Sequence, residues 1–166
     1  MTTPNKYCVY KVENIYENVR VPSSYFTNYE EYIFNILKKN EQKCNQNGYI
    51  HEILKIINIS SGQIYESDFS SDLIFKVEYQ AIISQPKKDD IIECKIFQIS
   101  NSDIIAKQGP LLIIVLTDKK DKKNLSDGDR ILVKIVATRF IYCMPLIKAV
   151  ATFEQKIKTL ISTAGE

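Results

Sequence analysis

A mostly-β chain of the α+β class is what this sequence predicts: a one-helix-on-antiparallel-sheet domain, then a small barrel built from strands alone. Three observations carry that expectation. From Leu73 to Ile83 the apolar side chains Leu73, Phe75, Val77, Tyr79, Ala81 and Ile83 recur at every second position, with Lys76, Glu78 and Gln80 between them. That is the period of a half-buried strand. Pro86 then removes a backbone donor and restricts the residue before it, so the strand cannot run on. Beyond Lys87-Lys88-Asp89-Asp90 the alternation resumes in Ile92, Cys94 and Ile96. The chain therefore divides into residues 1–85, residues 86–154 and a tail, 155–166.

Composition agrees with this division and narrows function. A chain of 166 residues split in two leaves units of small size, which bury little core on their own. Hydrophobic and charged contents of 45% and 25% are those of an ordinary globular protein. A net charge of +2 is too small for generic attraction to nucleic acid or to a membrane surface to lead the reading. No apolar run of about 20 residues is present, so no transmembrane helix is expected, and Met1–Lys6 lacks the apolar stretch of a signal peptide. The 4 cysteines (Cys8, Cys44, Cys94, Cys143) are widely spaced and the chain has 1 histidine, His51. Neither a zinc site nor any cofactor is implied, and reduced thiols in apolar strands fit an intracellular, reducing compartment. The 5 glycines are too scattered for a phosphate loop. His51 has no neighbouring nucleophile motif, so no enzyme activity is expected.

Taken in order, Tyr7 to Val21 reads as extended, and Pro22-Ser23-Ser24 breaks it. Thr27-x-x-Glu30 matches a capping box. Tyr29, Tyr32, Ile33, Ile36, Leu37 and Cys44 then follow the spacing of one helical face. Lys38, Lys39 and Lys43 fall late in that helix, where the macrodipole favours cations, and Asn45-Gln46-Asn47-Gly48 ends it. Tyr49 to Ile59 is a second strand. Ser60-Ser61-Gly62 turns, Gln63-Ile64-Tyr65 restarts briefly, and the strand from Leu73 completes three antiparallel strands after one helix. Gly62 is expected to supply a positive-φ turn.

The second unit reads as strands only: Ile91–Ile99, Asp103–Gln108, Leu111–Leu116, Arg130–Phe140 and Ile147–Phe153. Leu111–Leu116 is continuously apolar and suits a strand buried on both sides. Thr117 to Asp129 is a lysine-laden polar loop. Short strands in this number match a five-stranded OB-type barrel. The tail after Glu154 reads as a short helix or as disordered.

Several stretches then resemble the larger stalk subunit of archaeal and eukaryotic-type DNA-directed RNA polymerases, a family with relatives in large DNA viruses. They are Val19 to Phe26, Gly48-Tyr49-Ile50, Ile59 to Ile64, Phe75 through Pro86, and Gln108-Gly109-Pro110-Leu111. In order and spacing they cover most of Tyr7 to Phe153. The resemblance implies a non-catalytic subunit whose tip domain docks on the large polymerase subunits near the clamp and RNA exit. It also implies a smaller stalk partner and weak contact with nascent single-stranded RNA. Arg20, Pro22, Tyr25, Phe26, Gly62 and Ile64 are the core-docking candidates. Tyr25 and Phe26 equally suit a purely structural task at the helix start.

Lys95, Phe97, Lys107, Arg139 and Tyr142 are the RNA-binding candidates, since cations and aromatics there can share a barrel face; packing of Phe97 against the first domain is the competing reading. In Lys119, Lys120, Lys122 and Lys123 the interleaved Asp118 and Asp121 favour a solvated loop. Ser100 to Ala106 offers no aromatic, and base stacking, worth about 1–3 kcal/mol per base where it occurs, is missing from that hairpin. Thr117 to Asp129 is also more compact than the insertion of cellular relatives, which leans toward a viral one. The alternative from another class is a free-standing OB-fold protein binding single-stranded RNA.

Overall fold

The structure, a computed structural model, describes residues 10–64 and 69–157. Among the described residues two compact units emerge, one of Tyr10–Ser84 with Tyr142–Pro145, the other of Gln85–Ile141 with residues 146–157.

In the first unit β1 (Tyr10–Val21), β2 (Lys43–Asn45), β3 (Gly48–Ile59) and β4 (Leu73–Ser84) form an antiparallel sheet of order β1-β4-β3-β2. Pairing of β1 with β4 is unbroken from Tyr10↔Ser84 to Val21↔Leu73. The period-two reading of β4 holds: Phe75, Val77, Tyr79, Ala81 and Ile83 are all buried. They meet Ile15, Val19 and Val21 of β1, and Ile33 and Leu37 of the helix α1 (Tyr29–Lys38). Each such aliphatic side chain taken fully from water contributes roughly 1.5–3 kcal/mol. Tyr79 is wholly buried, and its hydroxyl donates to Glu17 Oε2 at 3.1 Å, which satisfies the one polar atom it brings into the core.

Strand β3 departs from simple alternation. Its register with β4 shifts at Ile50/Glu52, Ile53/Lys55 and Ile56/Asn58. Each shift inserts one extra residue, so Ile50, Ile53, Ile56 and Ile59, spaced by three, return to the helix-covered face.

The helix is shorter than its periodicity promised. It begins at Tyr29 after a 3-10 segment, Ser23–Asn28, and its N-cap Asn28 makes no side-chain cap. The expected Thr27/Glu30 capping box is therefore absent, and Thr27 lies in the 3-10 turn. After Lys38 the chain reverses. Gln42 adopts φ 60° and its N–H donates to Ile50 O at 2.8 Å, while Glu41 Oε1 accepts from Ile53 N–H at 2.7 Å. Lys43 and Cys44 thus belong to β2, and Gln46-Asn47 forms the hairpin turn to β3 rather than a helix stop. Lys43 Nζ still reaches back to Lys39 O at 2.8 Å, capping the helix end from outside it. Gln63 makes only an isolated bridge to Ile74, so the expected strand at Gln63–Tyr65 does not form; Tyr65 lies outside the described residues.

In the second unit β5 (Ile91–Ile99), β6 (Ile104–Gln108), β7 (Leu111–Leu116), β8 (Arg130–Arg139) and β9 (Ile147–Lys156) close into a barrel of order β5-β6-β7-β9-β8. Only β7 and β9 pair in parallel among the five neighbouring pairs, the arrangement of an OB-type barrel. Three differences from the sequence reading follow. A four-residue helix, α2 (Lys119–Lys122), sits in the polar loop, so the unit is not strands alone. Strand β7 is buried on one side only: Leu111, Ile113 and Val115 point inward, while Ile114 and Leu116 are 43% and 50% exposed. Strand β9 runs on to Lys156, where the sequence reading began the tail.

Glu93 is 6% exposed and its carboxylate pairs with Arg130 of the neighbouring strand at 2.6 Å. A carboxylate withdrawn from water to that degree needs such a cation beside it.

Candidate docking and nucleic-acid surfaces

The register of the tip sheet gathers the core-docking candidates at one end. Val21 pairs with Leu73 and Arg20 with Ile74, and Gln63 bridges Ile74, so Arg20, Pro22, Gly62 and Ile64 surround the same strand end. Arg20 is half exposed and lies 3.9 Å from Asp72. The carbonyl of Pro22 accepts from Tyr25 N–H at 2.9 Å, which winds the chain into the 3-10 segment. Tyr25 is 47% exposed, with its ring 4.4 Å from that of Tyr32. Phe26 packs against the core, and Tyr29 stacks on Phe75 at 4.9 Å and 6°. Ile64 is exposed, and so is Phe69. An arginine beside exposed aromatic and aliphatic side chains is the mixture found at the centres of protein interfaces.

Gly62 has a different reason from the expected one. Among the described residues the glycines with positive φ are Gly48, Gly109 and Gly128, and Gly62 is not one of them. A Cβ at Gly62 would stand 2.9 Å from Phe75 Cζ and 3.0 Å from Leu73 Cδ1. Close approach of the backbone to the Phe75 ring, not turn geometry, requires glycine there.

His51 sits at the first shift of β3, its ring 4.0 Å from that of Tyr10 and 4.8 Å from that of Tyr49. Its Nε2 is buried without a hydrogen-bond partner, and burial lowers its pKa. Burial also pushes the Cys94 thiol up to about 12, with the Glu93 carboxylate adding to the effect. Among the described residues no group of three or more His, Cys, Asp or Glu side chains is arranged to hold a metal ion. No described helix is long and apolar enough to cross a membrane.

On the barrel, the strand ladders connect residues that the sequence keeps far apart. Lys95 pairs with Lys107, Lys107 with Leu112, Leu112 with Lys148, and Lys148 with Arg139. The four cations are exposed, and neighbouring strands stand about 4.8 Å apart, so they form one outward row around the barrel. Among the described residues none of the four is in an ion pair. Phe97 is 58% exposed, and the Lys107 ammonium stands 3.8 Å from its ring centroid. Lys95, Phe97 and Lys107 are therefore brought together, while Arg139 lies at the other end of the same row. Tyr142 is exposed but belongs to the tip unit. Lys148 escaped the sequence reading because only strand pairing reveals its place in the row.

The chain thus comprises a one-helix sheet domain and an OB-type barrel. No protein-family model matches it. A mimivirus protein named as DNA-directed RNA polymerase subunit L376 (Acanthamoeba polyphaga mimivirus) is 30% identical over 112 residues, 66% of this chain and 56% of that protein. DNA-directed RNA polymerase II subunit rpb7 of Dictyostelium discoideum is 34% identical over 70 residues, 42% of this chain and 40% of the relative. The chain spans about half the length of the curated relatives it matches. The resemblance to the larger stalk subunit of RNA polymerases, read first from local motifs, is borne out by these homologues, one of them viral.

Proposed function

We propose that this chain is a non-catalytic stalk subunit of a DNA-directed RNA polymerase, docking on the large subunits near the clamp and RNA exit through the tip of its first unit. The observation that carries the reading is the homology to two proteins named as RNA polymerase subunits. The cluster of Arg20, Pro22, Tyr25, Phe26, Gly62 and Ile64 at one sheet end supports it and supplies the docking edge. A smaller stalk subunit is the second partner. Nascent single-stranded RNA is contacted weakly at Lys95, Phe97 and Lys107, with Arg139 further along the row. Phe97 already carries a lysine on its ring, so little stacking is available to a base. The proposed setting is intracellular and reducing: nucleus, cytoplasm, viral factory or virion.

The test is affinity purification of the tagged full chain from its native cell or virion. Large polymerase subunits are expected in the eluate. The double variant Arg20→Glu/Tyr25→Ala is expected to recover at least about tenfold less of them, the loss of one interface anchor. Recovery of single-stranded RNA with no polymerase subunit would overturn the proposal in favour of a free-standing RNA-binding protein.

A further inference from the structure

The basic row on the barrel has an aliphatic neighbour. Ile105 pairs with Ile114, Ile114 with Val150, and Val150 with Ala137, one alternation away from the cations on the same three strand pairs. Because side chains two apart share a face, this second row points outward with the first. Ile114, Leu116 and Val136 are 43%, 50% and 40% exposed. The intervening Ile113, Val115, Ala149 and Ala151 fill the barrel interior. The outer wall of β6, β7 and β9 is thus a continuous aliphatic stripe, bordered along one side by Lys107, Lys148 and Arg139. Across its other side stand Thr152 and Lys134, the latter 3.6 Å from Asp89. The acidic group at the corner, Asp103, is engaged by Ser102 Oγ at 2.7 Å.

We propose that this wall is a docking surface for a segment of another protein in which aliphatic residues are interspersed with aspartate or glutamate. Contiguous exposed apolar area rimmed by polar groups marks interaction sites, and here the unpaired rim charges along the row are all positive. Carboxylates complement them, and aliphatic side chains complement Ile105, Ile114, Leu116 and Val150. A second copy of this chain is disfavoured, since symmetric pairing would set cation against cation. RNA is disfavoured on the stripe itself, because Leu112, Ile114 and Leu116 stand where a stacking surface would need rings. The proposal does not depend on the polymerase reading.

The experiment uses the full chain with labelled isoleucine, leucine and valine methyl groups, followed by NMR. The probes are a twelve-residue peptide of interspersed leucine and glutamate, the same peptide with serine for leucine, and a twenty-nucleotide oligouridylate. The leucine peptide is expected to shift the methyls of Ile105, Ile114, Leu116 and Val150, and to bind at least about tenfold more tightly than the serine peptide. Ile114→Glu should abolish those shifts, and Lys148→Glu should weaken binding about tenfold, a loss on the scale of one good charge contact. Both positions are on the outer wall, and native-like dispersed shifts of the interior Ile96, Ile131 and Ile135 methyls, on strands that carry neither substitution, verify that the variants fold. Equal binding of the two peptides, no shift at these methyls, or tighter binding of oligouridylate to the same methyls would each overturn the proposal.

Discussion

Replacing Gly62 by alanine separates two physical reasons for a glycine. The added methyl would lie 2.9 Å from Phe75 Cζ, 3.0 Å from Leu73 Cδ1 and 3.1 Å from Phe75 Cε1, against the 3.5–4.0 Å of an unstrained carbon contact, roughly. The Phe75 ring cannot swing aside freely, because Tyr29 is stacked on its face at 4.9 Å and the side chain is 5% exposed. Overpacking of this kind costs about 1–3 kcal/mol. With a urea m-value of about 2 kcal/mol/M, the midpoint falls by about 0.5–1.5 M.

Tyrosine fluorescence reads this selectively, since the chain has no tryptophan and every tyrosine among the described residues lies in the tip unit. Phe75→Leu should restore most of the loss when combined with Gly62→Ala, a coupling of about 1 kcal/mol or more in a double-mutant cycle. If Gly62→Ala is neutral, or stabilises by the roughly 0.4–1 kcal/mol expected from a stiffer unfolded chain, the close-approach argument is wrong.

Three further perturbations test the same structure. Arg130→Ala leaves the Glu93 carboxylate buried without its 2.6 Å partner and should destabilise the barrel by about 1–3 kcal/mol, discounted because Arg130 itself is half in solvent; far-UV circular dichroism in urea reads the loss. Burial holds His51 below its ordinary pKa, so the unfolded chain binds the proton more readily than the folded one. Its contribution is complete above about pH 6.5 and declines as pH falls toward the folded-state value. The tip-unit midpoint should therefore drop on going from about pH 7.5 to about pH 5.5 by more in the native chain than in His51→Phe. Finally, Cys143 is exposed while Cys44 and Cys94 are buried. Brief maleimide treatment of the folded chain should modify Cys143 before Cys44 and leave Cys94 intact, as peptide mass spectrometry would show; early labelling of Cys94 would contradict its burial.

Much of this architecture was written in local pattern. The alternation of β4, the stop at Pro86 and its resumption in β5 depend on neighbours along the chain, and those readings stand. The errors fall where distant strands decide. Periodicity continued α1 to Cys44, but the Gln42 amide bond to Ile50 and the Glu41 carboxylate on Ile53 pull that stretch into a hairpin. The spacing of Ile50, Ile53, Ile56 and Ile59 was a visible signal of a strand interrupted by bulges, though it matches neither the helical nor the strand period. Leu111–Leu116 looked buried on both sides because its sequence does not reveal that the outer barrel wall is uncovered. Residue type alone points to the RNA-binding candidates; only the ladder pairs put Lys148 between Lys107 and Arg139, and only the folded chain sets Tyr142 in the other unit.

The most direct test of the polymerase assignment is the copy number of this chain in polymerase purified through a tag on its largest subunit, measured by mass spectrometry against labelled peptide standards. A stalk subunit should be present at close to one copy per enzyme and should stay bound through size-exclusion chromatography. Its absence from the purified enzyme, or a trace amount removed by washing, would contradict the assignment.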